Sequence, residues 1–310
     1  MKKSAIIAAA IASLMAGSAA ADSTVYGIAH ASLTSYDTAD MWKVDSNGSR
    51  LGFKGSEDLG NGMKAIFQME MAYDLTDGQG VTGANDGAKH KPSARNSFVG
   101  LTGDFGTAVI GRHDTPAKAA FYAAGNEHLG DSIVDLNGSF GMNETRASNA
   151  IAYISNDMNG LSFAAAIVPG ETATDNGLAD STSVGVMYKS GAIKFGLGVD
   201  SFASDDTMTT VGGSYNMDDL TVGVQYSSEE NAGVDSTALA IVGKFAMDKN
   251  ALIASIGTSE VGATDGSVMN VAYTIGMSKK TTAYVAYSSR EAGTQKGEDD
   301  LMSFGLMTKF

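Results

Sequence analysis

The sequence predicts an all-β chain, sixteen antiparallel strands closed into a membrane-spanning barrel. Three observations predict it. Hydrophobicity alternates with a period of two along most of the chain, short polar turns recur between the alternating runs, and the last such run ends on an aromatic residue, Phe310. A period of two marks a strand with one apolar and one polar face.

The chain opens on MKKSAIIAAAIASLMAGSAAA, with a basic start, an apolar middle and a small-residue end. That composition reads as a cleavable export signal over residues 1–21, leaving 22–310 as a single barrel domain. Within it, KAIFQMEMAY sets Phe67, Met69, Met71 and Tyr73 against Lys64, Gln68 and Glu70. AIKFGLGVD sets Ile193, Phe195, Leu197 and Val199 against Lys194, Gly196, Gly198 and Asp200. LTVGVQYS and MNVAYTIGM repeat the pattern through Leu220, Val222, Val224 and Tyr226, and through Met269, Val271, Tyr273, Ile275 and Met277.

Seven clusters rich in Asp, Asn, Gly and Lys carry hairpin-turn compositions: 58–62, 103–107, 156–160, 189–192, 216–219, 247–250 and 278–280. With both termini on the short-turn side, seven turns imply sixteen strands. Longer polar connections fall at 35–46, 75–93, 113–147, 169–180, 201–206, 228–235, 259–267 and 289–299. Short turns at one end and long loops at the other describe a barrel of the outer-membrane type.

Composition removes other classes. A net charge of −14 is too acidic for a nucleic-acid binder, which needs a basic face for phosphates. There is no cysteine, so disulfides play no part. No segment after the export signal offers the roughly 20 consecutive apolar residues of a spanning helix.

An amphipathic meander can also form a soluble β-sandwich, which buries the face a barrel turns to lipid. The export signal, the uniform meander and the terminal aromatic favour the barrel. Hydrocarbon leaves no tolerance for unpaired backbone, so the last strand must meet the first, with Phe310 on the closing strand facing outward. Tyr26, Tyr73, Tyr188 and Tyr226 fit an interfacial girdle.

SRLGFKGSEDLGNGMKAIFQMEM (49–71), RNSFVGLTGDFGTAVIGRHDTP (95–116), ETRASNAIAYISNDMNGLSFAAAI (144–167) and the Phe-terminated final strand resemble the Gram-negative trimeric general-diffusion porins, over essentially the whole of 22–310. The resemblance implies a homotrimer in the outer membrane, among lipid and lipopolysaccharide, and a third long loop folded into the lumen as a constriction. It also implies that Phe310 is read by the barrel-assembly machinery.

The longest connection, 113–147, does fall third, and Thr115 followed by Pro116 and helix formers predicts a short helix there. The Pro-Glu-Phe-Gly-Gly run common in the enteric branch is absent. A constriction selects by charge across a water-filled gap. Its expected acids are Glu127, Asp131, Asp135 and Glu144; its expected bases are Arg50, Lys64, Arg95 and Arg112, with Arg146 at the loop's return. An arginine on the lipid face would cost roughly 2–4 kcal/mol at mid-depth, which favours a lumenal place for Arg50 and Arg95.

The expected function is passive diffusion of ions and small hydrophilic solutes. A substrate-specific porin and a soluble exported sandwich adhesin or lectin remain open alternatives. No enzyme chemistry or cofactor is expected: His30, His90, His113 and His128 are scattered, with no triad or metal-ligand spacing.

Overall fold

The computed structural model describes residues 21–76, 92–125, 128–142, 145–172, 176–204, 206–291, 293–294 and 297–310. The expected export signal lies outside them, save for Ala21 at the start of the first strand.

Alternating sequence becomes strand almost throughout. The sheet begins with β1 (Ala21–Tyr36), β2 (Met41–Ser46), β3 (Arg50–Gly60), β4 (Met63–Ala72), β5 (Ser93–Gly103) and β6 (Gly106–Asp114). It continues through β7 (Arg146–Ile154), β8 (Leu161–Val168), β9 (Ser181–Ser190), β10 (Ile193–Ser201), β11 (Thr207–Met217) and β12 (Leu220–Asn231). The last five are β13 (Val234–Met247), β14 (Asn250–Val261), β15 (Thr264–Gly276), β16 (Thr281–Arg290) and β17 (Asp299–Lys309).

Seventeen segments make sixteen staves, because β2 and β3 are two halves of one. β1 pairs with β2 over Ala31–Tyr36 and with β3 over Ala21–Ile28. Between the halves the chain breaks at 47–49, where Gly48 has φ 65. From β3 onward each strand pairs antiparallel with its successor. β17 then pairs back on β1, from Ile28↔Lys309 to Tyr36↔Leu301. The Gly27 N–H donates to the Phe310 carbonyl at 3.3 Å and the Phe310 N–H to the Gly27 carbonyl at 3.1 Å. The sheet is closed and leaves no edge.

All seven predicted short turns join strands where expected. Asn61, Asn159, Asp218 and Asp248 hold φ of 52, 59, 51 and 56 in four of them, a conformation short polar side chains tolerate. Three predicted loops are instead tight hairpin turns at the far end, at 37–40, 232–233 and 262–263. There the strands run on past their apolar stretch, and with both faces wet the alternation that reveals a strand fades.

The apolar face is turned outward. Leu33, Met69, Val99, Ile110, Phe163, Val184, Ile241, Ile256, Met269, Phe304 and Leu306 stay between 42% and 61% exposed. No described helix is long and apolar enough to cross a membrane. Apolar packing sits inside, where the loop between β6 and β7 meets the wall. Phe121, Leu136, Phe140 and Met142 of that loop pack on Ala238, Ala240, Val242 and Val268. Leu129 and Ile133 pack on Ile253, Ala272, Tyr284, Ala286 and Leu301.

Candidate pore constriction

The described part of the loop at 115–145 lies in the lumen because its two helices find fitted seats there. Helix α1 (Pro116–Ala123) starts as predicted: the Thr115 hydroxyl accepts from the Lys118 N–H at 3.2 Å, and Pro116 takes a position that needs no donor. Its underside meets glycines of two adjacent staves, β9 and β10. A Cβ at Gly185 would overlap the Pro116 carbonyl, at Gly196 the Ala120 carbonyl, and at Gly198 the Ala117 backbone. Side-chain-free wall and alanine-rich helix thus approach to backbone contact.

Helix α2 (Leu136–Phe140) is capped by Asp135, whose carboxylate accepts from the Asn137 N–H at 3.0 Å. Both ends of the loop are tied at one level. Arg146 Nη2 lies 2.7 Å and Lys118 Nζ 3.4 Å from Asp114 Oδ1, while Asn96 donates to Asp114 Oδ2 at 2.9 Å and accepts from Arg146 Nε at 2.8 Å. Asp114 ends β6 and Arg146 begins β7, so this cluster clamps the loop's entry to its return.

Level with the clamp runs a charged strip on the inner faces of β1, β3, β4 and β5. Tyr26 and Glu70 flank Gly52 in register, and a Cβ on Gly52 would overlap the Tyr26 ring. The ring therefore crosses the glycine, and its hydroxyl donates to Glu70 Oε2 at 3.0 Å. Arg95 Nε donates to Glu70 Oε1 at 2.7 Å. A bulge between the β4 and β5 registers turns Arg95 and Asn96 inward together. Lys54 Nζ stands 5.2 Å from the Tyr26 ring centroid, one alternation below, and Arg50 stands one above. Arg50 has no hydrogen-bond or ion-pair partner among the described residues.

The predicted site residues therefore separate. Arg50 and Arg95 share the strip, and the exposed Asp131 on the loop reaches the wall at Gly48, where its carboxylate occupies the space a Cβ would need. Lys64 faces the lumen but sits one residue inside the β3–β4 turn, about 20 Å down the strand from Glu70 at 3.3 Å per residue, so it belongs to the pore mouth. Arg112 follows Gly111, which has φ 146 and where the β6–β7 register shifts; it pairs in register with Ser97, donates to the Ala94 carbonyl at 3.0 Å and meets the Ser148 hydroxyl. Arg146 is engaged in the clamp. Asp135 is 9% exposed and works as a helix cap beneath the loop. Glu127 and Glu144 lie outside the described residues.

Tyr26 corrects the girdle assignment, since it points into the strip, whereas Tyr73, Tyr188 and Tyr226 remain outward and exposed. The strip members absent from the expected set are Tyr26, Glu70 and Lys54. Their signal was the parity of Glu70 with Gln68 on the polar face of β4. His128, on the loop, has its imidazole pushed down to about 4 by burial and by the charges of Lys244 and Lys194.

A family model described as Gram-negative porin matches residues 7–295. The chain belongs to the Gram-negative porin family. Membership and the outward apolar belt place this porin in the outer membrane. Among its relatives is the major outer membrane protein P.IB of Neisseria gonorrhoeae, 33% identical over 203 residues, covering 61% of this chain and 54% of the relative. The P.IB of Neisseria lactamica is 36% identical over 130 residues, covering 38% of this chain and 35% of the relative. The chain spans about half the length, or less, of the curated relatives it matches.

Solved structures agree in fold. An anion-selective porin from Comamonas acidovorans superposes with a TM-score of 0.73 at 20% identity, covering 94% of this porin and 100% of that chain. A loop-deletion mutant of the outer membrane protein OmpT of Vibrio cholerae does so with 0.72 at 15% identity, covering 94% and 100%. At such identities the likeness speaks for the barrel alone.

Proposed function

We propose that this porin is a passive diffusion channel for ions and small hydrophilic solutes, sorting them by size and by charge where the inner loop narrows the lumen. One observation carries the reading: a closed barrel with its apolar face outward holds a tethered loop on its inner wall, level with a strip of lysine, arginine and glutamate. A charged strip beside a water-filled gap acts on ions through Coulomb forces and does no covalent work. The role is transport, with no chemical step. Arg50, Lys54 and Arg95 against Glu70 leave the strip net positive, and Asp131 faces it from the loop. In this reading the protein assembles as a homotrimer, reaches the membrane through a cleaved signal over residues 1–21 and is inserted by the barrel-assembly machinery. One structural neighbour, the OmpT of Vibrio cholerae, is described in a trimer form.

Planar-bilayer recording on purified protein tests this. Ohmic conductance, unsaturated by small sugars and rising and falling in groups of three equal steps, is expected. Saturable, solute-blocked current would assign it instead to a substrate-specific channel, and the absence of any conductance would refute transport.

A further inference from the structure

Above α2, toward the loop end of the barrel, the inner wall holds a recess of about 300 Å³ that the constriction does not use. Its wall is one transverse row of the sheet. Met208 pairs with Glu229, Glu229 with Ser236, Ser236 with Val261 and Val261 with Thr264, so five adjacent staves present their side chains at a single level. The row below continues through Ser227 and Ala238. The floor is Phe140, which is 7% exposed and seated over Gly257, where a Cβ would overlap the ring. Gly293 and Thr294 close the far side, Gly293 lying against Gly266.

The chemistry of this recess is divided. Phe140, Met208, Ala238 and Val261 make an apolar base; hydroxyls of serine and threonine rim it; Glu229 is the one charged side chain among its described lining residues. Among the described residues the Glu229 carboxylate meets only a long contact, from Asn231 at 3.4 Å, and that residue is exposed. A volume near 300 Å³ is the lower end of small-molecule sites, and an apolar body with a few placed polar groups is their usual make-up. A lone carboxylate over an apolar base complements a compact organic cation, an ammonium on a short apolar body. Neutral solutes would gain the apolar contact without the charge, and inorganic cations the charge without the contact.

We infer that this recess is a binding site for small amphiphilic ammonium compounds, a holding position beside the diffusion path. The inference rests on the channel reading only for its place in transport; binding itself is measurable without any current. Phenethylammonium is the probe, with phenethyl alcohol as its uncharged counterpart, titrated calorimetrically into the purified full-length protein in detergent. One saturable site per chain is expected for the ammonium, with the alcohol at least tenfold weaker. Glu229→Gln should weaken ammonium binding at least tenfold, and Ser236→Lys, which sets a cation beside Glu229 in register, should do the same by a different route. Asp218→Asn, in a turn at the opposite end, should leave the affinity at the parent value. Equal binding of ammonium and alcohol, or an unchanged affinity in both Glu229→Gln and Ser236→Lys, would overturn the site. Binding in a protein that conducts nothing would preserve the site and refute the channel; conductance without binding would do the reverse.

Discussion

Glu70 holds Arg95 at 2.7 Å, whereas Arg50 has no such partner among the described residues, so in the proposed channel the two arginines of one wall should contribute differently to selection. A unit charge about 5 Å from an ion is worth about 1–3 kcal/mol between aqueous and near-surface screening, and salt reduces it further. Arg50→Ala should therefore move the reversal potential in a salt gradient toward cations, by a several-fold change in permeability ratio; an unchanged potential would remove Arg50 from the selecting strip. Glu70→Gln should act oppositely. It leaves Arg95 and Lys54 uncompensated and shifts the channel toward anions, and a shift toward cations would show that Glu70 does not offset them. A third residue should link conductance to pH. His128 is held near 4 when the loop is packed, against an ordinary value of 6.5. A loop released from the wall therefore binds the proton more readily than a packed one. Packing is undisturbed above about pH 6.5 and weakens progressively as pH falls toward 4. Conductance should change over that window in the parent and stay flat in His128→Gln; parallel responses would exonerate the histidine.

At the scale of elements, the seat of α1 depends on what two staves lack. Gly185, Gly196 and Gly198 lie on inward positions, and side chains there would strike the helix backbone. Forcing extra carbon into a packed contact costs typically about 1–3 kcal/mol. Gly198→Val should thus displace the loop while leaving the closed sheet intact, read as raised single-channel conductance with unchanged heat-modifiable migration. Unchanged conductance would mean that α1 does not narrow the lumen. The staves and turns themselves were legible because alternation and turn chemistry are local signals. The strip was only half legible. Parity alone places Arg50 inward with Gly52, but Arg95 faces in through a bulge, which shifts parity without leaving a mark in composition. Arg112 sits at a similar irregularity, a register shift between Gly111 and His113, so alternation with Ile110 does not fix its side. Asp135 was misassigned because a capping carboxylate and a solvated one look alike until the helix that follows is known.

For the whole molecule, orientation and closure are one problem. Each outward apolar row is stable only in hydrocarbon, and hydrocarbon tolerates no open edge, so the β1–β17 seam decides whether the other fifteen pairings have a membrane to sit in. Phe310 has two separable parts at that seam. Its backbone exchanges two hydrogen bonds with Gly27, and its ring covers that glycine while remaining 52% exposed. Replacing the ring keeps the backbone pair, so Phe310→Ala should cost an assembled barrel only the burial of half a ring, a shift of a few degrees at most in the temperature where its gel mobility changes. If the exposed half of the ring is instead what insertion recognises, the yield of assembled protein should fall far more than the stability of the fraction that does assemble. Quantifying both on one set of gels separates the roles. Loss of yield with near-parental melting makes the aromatic a recognition element, and a matched loss of both makes it a structural clasp.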